Sequence, residues 1–590
     1  VPTWDSTFRT ALASEGLSGL YVALVFGPTY SPNTGGPAQG ADIIVGNYVA
    51  TGVWNCLGPS CAVSGASLDV FQWSTTADQL TADLTGQDAN ACMRALLDAG
   101  VHRGTFLEVR VTLPGDDPAT EYKRVWIGRV QQIQSASIFG SAGAWKVVGW
   151  GVQSLLQARR QGFADATEML DSLLGEWQLF SDVRNLATPI ETEFAVLSGY
   201  TVGDASITVT GTAGFVNESG QDGVIKLTRA DTGAFFYLRY TGRTGTTFTG
   251  LSSSGRFGTT AFNVDATTHL PVTTIQHVHF IYGPPLDVLR KILTSTGTGT
   301  NGAYDTMPYD WGLLLSDDLV DLTDIGLWAA ELTASYSVQF LIEEPIANPW
   351  QWLSGWLSKL GIAIVLYEGR ISVRIAQDQE EASPKRADFA FVPGSIASLS
   401  WALCDQRVSS EYVAVLPTSW PTRIPGLPTW REGLTEENSI AYLVLDLTLT
   451  PGGTLAWETR ISHPRTVPYG RALIVDLSDV SPDYDATHTY EDDPAWHGDV
   501  QARRYHYVCN IAERVEINVP HRGCASLAPG DLTRLTSALV FGVPEAASAT
   551  DTYSLVDVTV VDGPAVDWLR PQLCRVAVLR HKAERWEFTE

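Results

Sequence analysis

Gly297, Gly299 and Gly302 spell G-x-G-x-x-G, a spacing that lets a backbone turn approach a dinucleotide pyrophosphate. That chemistry needs a strand before the glycines and a helix after them, so that the phosphates meet a helix N-terminus. Here the order is reversed. Pro284 and Pro285 can open a helix, Leu286, Leu289, Ile292 and Leu293 fall on one of its faces, and Gly297 sits where a C-cap belongs. Tyr304, Met307, Pro308 and Trp311 follow without a helical period, so no nucleotide site is expected.

His277 and His279 are two residues apart on a predicted strand, so both side chains face one side and could share a metal. No third ligand or supporting shell is visible, and packed or surface imidazoles are the expectation. Glu343 and Glu344 are adjacent on an extended segment and point to opposite faces, which makes them poor partners for acid and base work. Asp483, Asp485, Asp492 and Asp493 surround Thr487, His488 and Tyr490 but lack the glycine of an EF-hand turn, so they read as a solvated loop. No H-E-x-x-H, G-x-S-x-G or Walker A sequence occurs. No catalytic, cofactor-binding or metal residue is assigned. Trp352 and Trp356 stand at i, i+4 behind Trp350, and with Leu353, Leu357 and Leu360 they form an apolar stripe that reads as a core or subunit-contact face rather than a carbohydrate platform. Asn217-Glu218-Ser219 fits a glycosylation sequon only formally.

The 590 residues suffice for several domains. Apolar content of 44 %, 53 Gly and 30 Pro favour many short strands over long helices. The 39 Lys and Arg against 65 Asp and Glu give a net charge of −26 with no basic block, which argues against tight binding of nucleic acid. Solubility or a salty habitat accounts for the acidity, and the sharper reading is a duct whose wall repels DNA. Seven cysteines without a C-x-x-C support neither a zinc ribbon nor a redox motif. Cys56 and Cys61 could close a small loop, but buried free thiols are expected. No secretory pattern follows Val1 and no apolar run approaches a membrane helix, so the chain reads as soluble and non-secreted.

The elements that would position these residues fall into five stretches. Residues 1–164 carry alternating strands that suit a small barrel, with a helix over Ala89 to Gly100 that places Cys92, Leu96 and Leu97 on one face. In the strand from Phe106, Leu107, Val109 and Val111 face one way and Phe106, Glu108 and Arg110 the other, which predicts a single apolar face. Residues 165–192 read as a helical link and 193–275 as a small β module rich in turns. Residues 276–397 read as a mixed α+β unit with helices after Pro285 and near Trp350, and a hairpin turning at Glu368 and Gly369. Residues 398–590 return to strands, where L-A-P-G-D-L-T-R-L-T from Leu527 echoes the first unit and reads as a second barrel. The predicted fold class is mainly β with an α+β central region.

The succession P-L-D-V-L-R-K-I-L-T-S-T-G-T-G-T-N-G-A-Y-D and then P-Y-D-W-G resembles the central region of tail-tip or baseplate hub proteins of tailed bacteriophages. The later order of helix, strand, E-G turn and strand is similar to theirs, as is W-I-G-R-V followed by a strand leading into V-Q-S-L-L-Q-A-R-R. Tyr240, Thr241, Gly242, Thr244, Gly245, Phe248, Thr249 and Gly250 match Y-T-G-x-T-G-x-x-F-T-G, which resembles a small β module inserted in phage tail proteins. The resemblance implies a structural virion protein at the tail tip, assembled in the host bacterial cytoplasm. It implies a homotrimer whose two barrels per chain make a pseudo-sixfold ring. That ring would meet the distal tail protein ring, the tape-measure protein and a central fibre or spike, and let DNA pass without specific binding. The alternatives are a tail-borne glycosidase or carbohydrate-binding protein, and a spike or hub component of a secretion system.

Overall fold

Short runs of valine, isoleucine, leucine and aromatic residues become strands through much of the computed structural model. The structure describes residues 4–14, 19–27, 42–70, 73–137 and 143–156, and shorter pieces between 194 and 294. It further describes residues 318–331, 338–342, 348–377, 385–392 and 395–403 with a few isolated neighbours, strands between 411 and 482, and residues 511–520, 522–536, 555–570 and 573–581. The fold is mainly β with an α+β centre. No described helix is long and apolar enough to cross a membrane.

In the first unit the strands run in the order Ile43–Gly46, Tyr21–Phe26, Phe106–Thr112, Lys123–Ser137, Gly143–Trp150, Gln79–Gly86 and Leu57–Ser64, all antiparallel. The glycine of W-I-G-R-V has a steric reason: a Cβ on Gly128 would lie 1.9 Å from the Trp150 carbonyl oxygen and 2.6 Å from the Trp126 ring. Trp126 is thereby fully buried, and its indole N–H donates to the buried Asp78. The helix forms over Ala89–Asp98, with Gly100 in the left-handed region at φ +78. Its inner face is Ala89, Cys92, Met93 and Leu96, while Leu97 is 64 % exposed. The expectation for Leu97 fails because it lies five residues past Cys92, well off the 3.6-residue repeat that Leu96 keeps.

The second β unit has strands Leu555–Asp567, Cys574–His581, Ile511–Val519 and Ser398–Leu403 in antiparallel order. Leu532–Thr536 also pairs with Leu555–Asp567, and Arg386–Phe391 runs parallel beside it. The two units form one continuous sheet, because Val566 pairs with Val63 and Asp567 with Ala62. One apolar core runs through both, from Trp4 and from Phe8 and Leu12 of helix Ser6–Ala13 to Val515, Val560 and Val578.

The central unit forms a second core. Helix Pro285–Thr294 buries Leu286, Leu289, Ile292 and Leu293, and helix Pro349–Lys359, capped by the Asn348 side chain on Gln351 N (3.1 Å), buries Trp350, Leu353, Trp356 and Leu357. Phe340 packs 5.2 Å from Trp352 and 5.1 Å from Trp356, so the tryptophan stripe is core packing. Phe106 and Ile127 of the first unit belong to this same core. Strand Phe106–Thr112 is therefore covered on both faces, and even Glu108 is 2 % exposed, contrary to the single apolar face its alternation predicts.

The Y-T-G-R-T-G-T-T-F-T-G sequence folds as a tight hairpin in which Gly242 pairs with Thr249 and Arg243 with Phe248, and Thr244 N donates to Thr247 O at 2.7 Å. Strand Ser206–Thr208 adds to it, and the Tyr240 and Phe248 rings meet at 4.8 Å. Strand Val272–Gly283 pairs first with Gly223–Arg229 and then with Val338–Ile342, joining this region to the central unit. Glu411–Leu416, Ser439–Asp446, Ala456–Pro464 and Ala472–Asp476 form a separate four-stranded sheet. The expected helical link at 165–192 lies outside the described residues.

The predicted hairpin is present as Ile362–Tyr367 and Arg370–Ile375. Both turn residues have positive φ, +48 at Glu368 and +73 at Gly369, the requirement of a tight turn matched to the strand twist. A Cβ on Gly369 would lie 2.8 Å from the Arg124 carbonyl oxygen. Gly369→Ala is expected to cost about 1–3 kcal/mol from the left-handed backbone and this close approach. Gly355→Ala, in a helix with open space around its Cβ, is expected to stabilise by about 0.5–1 kcal/mol. Urea unfolding of the two variants checks the contrast, and equal effects would show that the turn does not limit stability.

Candidate functional site

Among the described residues, buried charge gathers where the hairpin Ile362–Ile375 meets the first unit, the second unit and helix Leu322–Glu331. A cavity of about 430 Å³ opens there, lined by Arg9, Asp324, Trp328, Glu368, Arg374 and Asp531 among others. The alternation of R-I-S-V-R-I turns Ile371, Val373 and Ile375 to one face and Arg370, Ser372 and Arg374 to the other. The structure buries the second face too, with Ser372 fully enclosed and Arg374 2 % exposed.

Arg374 joins three segments. Its Nη1 donates to Asp324 Oδ2 at 2.8 Å, its Nε donates to Asp531, and its guanidinium lies 4.4 Å from the Tyr367 ring centre and 5.5 Å from that of Trp328. Asp531 also accepts from Ala528 N at 2.6 Å, and Asp324 accepts from Ser372 Oγ at 2.6 Å. Lys385 Nζ sits 4.2 Å over Trp328. Trp73 Nε1 donates to Arg374 O at 3.2 Å and Thr75 Oγ1 to Ile364 O at 2.7 Å, tying the first unit to the same hairpin.

The hairpin tip is held by a second buried cation. Arg124 Nε donates to Gly369 O at 2.7 Å, its guanidinium also donates to Asp318 O, and Nη1 lies 3.6 Å from Glu108 Oε2. Trp4 Nε1 donates to Arg124 O at 2.9 Å. Beside it Glu368, whose side chain is 5 % exposed, meets Arg9 Nη2 at 2.6 Å. Arg370 Nη2 lies 2.9 Å from Asp321 Oδ2. Carboxyl groups or backbone carbonyls face each of these cations, so the arrangement clamps segments together.

Burial pushes the Glu368 carboxyl up to about 7 despite the opposing pull of Arg9, and pushes Asp78 up to about 6 against the hydrogen bonds from Val152 N and Trp126. Burial likewise raises Asp531, against Arg374. The folded protein thus keeps a proton at Glu368 that the unfolded chain releases near 4.5, so this group's contribution to stability falls as pH rises from about 4.5 to about 7.

The residues singled out from sequence do not converge on this cavity. His277 and His279 lie in strand Val272–Gly283, opposite Ile225 and Ile342. Gly297, Gly299, Gly302, Asn217, Glu343, Glu344 and the Asp483 to Asp493 cluster lie outside the described residues. Among the described residues no group of three or more histidine, cysteine, aspartate or glutamate side chains is placed to hold a metal. Cys56 and Cys61 are buried thiols and are not bonded to each other. Sequence reasoning missed Arg374, Asp531 and Arg124, and the available signal was the pair of arginines alternating with apolar residues in R-I-S-V-R-I.

Arg374→Met leaves Asp531 without its buried cation, and a loss of about 3–5 kcal/mol in unfolding free energy is expected. The double variant with Asp531→Asn is expected to lose less than the sum of the single variants, a coupling that a double-mutant cycle in urea measures. Additive losses would show that the pair does not act as a unit. In a pH series of the same measurement, Glu368→Gln is expected to flatten the fall in stability between about 4.5 and about 7. An unchanged slope would assign that fall to other groups.

No family model matches the chain and no curated protein matches it. Among solved structures it is similar to the 43 kDa tail protein of prophage MuSo2 from Shewanella oneidensis, at 10 % identity and TM-score 0.33, over 95 % of this chain and 98 % of that one. It is similar to the E. coli c3393 protein, described as a type VI secretion component with structural similarity to T4 bacteriophage tail proteins gp27 and gp5, at 8 % identity and TM-score 0.27, over 90 % and 75 % of the two chains. A Francisella PdpA-VgrG complex matches at 8 % identity and TM-score 0.30, over 97 % of this chain and 60 % of the other. Every one of these TM-scores is below 0.5, and the likenesses carry no argument about what the chain does.

Proposed function

We propose that this chain is a structural hub at the tip of a phage tail or a related tail-like particle. The observation that carries the reading is the edge-to-edge union of two β units through Val63 with Val566 and Ala62 with Asp567, clamped from one side by the central hairpin. A chain that presents two such units in fixed relation can place six of them in a ring from three copies. The hub-like residue order around Pro285, the E-G turn and the Y-T-G-R-T-G-T-T-F-T-G hairpin support the same reading. The charged cavity fits it as well, because buried pairs that clamp segments hold a scaffold in shape.

The finer proposal is a homotrimer seated on the distal tail ring, with a threefold face toward a fibre or spike and a central passage for DNA. Residues 1–164 and 398–590 supply the two barrels, 276–397 the bridge between them, and 193–275 a small appended β module joined by 165–192. The net charge of −26 suits a passage wall that does not retain DNA. No side chain is assigned covalent chemistry. A carbohydrate platform on helix Pro349–Lys359 loses its support, since Trp350 and Trp356 are buried and Trp356 packs on Phe340.

Mass photometry and sedimentation of the chain with its neighbouring tail proteins are expected to show it in multiples of three. The assembled state is the one to measure, since subunit association is concentration-dependent and an isolated hub can stay monomeric. One copy per assembled tail would overturn the proposal.

A further inference from the structure

The cavity beside the hairpin has a floor and a mouth of different make. On its floor Arg370 and Arg374 meet Asp321, Asp324 and Asp531, and each of these side chains is at most 17 % exposed. At its mouth stand Arg9, Lys385 and Arg386, whose side chains keep 28–35 % of their surface in water. The alternation of strand Arg386–Phe391 turns Ala387, Phe389 and Phe391 to the core and Arg386 and Asp388 to the other side. Arg386 donates from Nε and Nη2 to Asp557, both at 2.9 Å, and Arg9 spends Nε and Nη2 on Glu368. Each arginine thus keeps its other terminal nitrogen, with the exposed Asp388 at 3.6 Å from that of Arg9. Leu327, which also lines the cavity, is 55 % exposed, while its neighbour Trp328 is buried under Lys385. The indole N–H of Trp328 meets no acceptor among the described residues. Buried donors are almost always satisfied, so an orphan on a cavity wall points to an acceptor that arrives from outside.

We propose that this mouth is a docking site for a short acidic peptide segment of a partner protein. Carboxylates of the segment pair with Lys385 and with the remaining terminal nitrogens of Arg9 and Arg386, an oxygen of the segment accepts from Trp328 Nε1, and one of its apolar side chains covers Leu327. A cavity of about 430 Å³ falls in the ~300–1,000 Å³ range of small-ligand sites and exceeds what an inorganic anion fills. Exposed Leu327 at its edge also favours a ligand with an apolar part over a bare ion. A long polyanion such as nucleic acid fits less well, because the chain carries a net charge of −26 and repels it beyond the mouth. A short segment needs only the local cations, since salt screens the wider field within about 8–10 Å. The floor pairs clamp the frame and the mouth takes the ligand, whatever the oligomeric state of the chain.

Fluorescence anisotropy of a labelled peptide E-E-L-E-E-L, titrated with the full chain, reads the docking. A saturable rise that added salt weakens is expected, reversed by the unlabelled peptide but not by K-K-L-K-K-L, inorganic phosphate or a single-stranded oligonucleotide. A chain carrying both Lys385→Gln and Arg386→Gln is expected to bind about tenfold more weakly, each exposed charge contact being worth a factor of a few. Leu327→Asp puts a carboxylate at the mouth, and it too is expected to weaken binding. Because Leu327 is exposed and makes no ion pair, that variant tests the site even if the double variant fails to fold. Arg575→Gln, which breaks a surface pair with Glu516 away from the cavity lining, is expected to bind as the unaltered chain does. Absence of saturable binding, full affinity in the mouth variants, an equal loss in Arg575→Gln, or tighter binding of the oligonucleotide than of the peptide would overturn the proposal.

Discussion

A buried guanidinium ties the segments of this protein to one another. Arg374 reaches Asp324 in the central unit and Asp531 in the second β unit, while its backbone carbonyl accepts from Trp73 of the first. Removing a charge of this kind from water is costly, and only several simultaneous partners offset the cost. The same condition holds at Arg124, which needs Gly369 O, Asp318 O and Glu108 together. A clamp built this way responds to small displacements, because a shifted segment leaves a charge buried and unpaired. The hairpin is therefore fixed in position relative to both β units.

Apolar packing supplies the bulk of the stabilisation around those clamps. One core passes without a break from helix Ser6–Ala13 through the first unit to Val515, Val560 and Val578 in the second. The other brings Phe106 and Ile127 of the first unit against the central helices. Because strand Phe106–Thr112 contributes to both cores, the first unit cannot move as an independent body without exposing apolar surface at about 25 cal/mol per Å². In the proposed hub such rigidity is the functional property, since a ring adapter must hold its faces at fixed angles while neighbouring proteins load it.

The Cys56 and Cys61 spacing drew attention in sequence because it is short. Their positions five residues apart along extended backbone put the two thiols too far apart for any bridge, and Cys61 instead occupies a core position opposite Ala82.

Elements governed by local rules were legible in the sequence. The helices at Pro285 and Pro349 follow from proline at the start and a 3.6-residue apolar repeat, and the E-G turn follows from the need for positive φ at two adjacent positions. The strand-rich class follows from alternation and frequent glycine. Tertiary structure alone decided which polar faces were buried. Arg374, Glu108 and Asp531 sit at positions that a strand or turn would expose to water; Arg374 and Asp531 are enclosed because segments far apart in the chain meet there, while Glu108 is enclosed beside Arg124 of the neighbouring strand. Alternation reports two faces of a strand and says nothing of what covers the second one. That choice is made by long-range packing, and here it placed charges in the interior and turned them into the ties between the units.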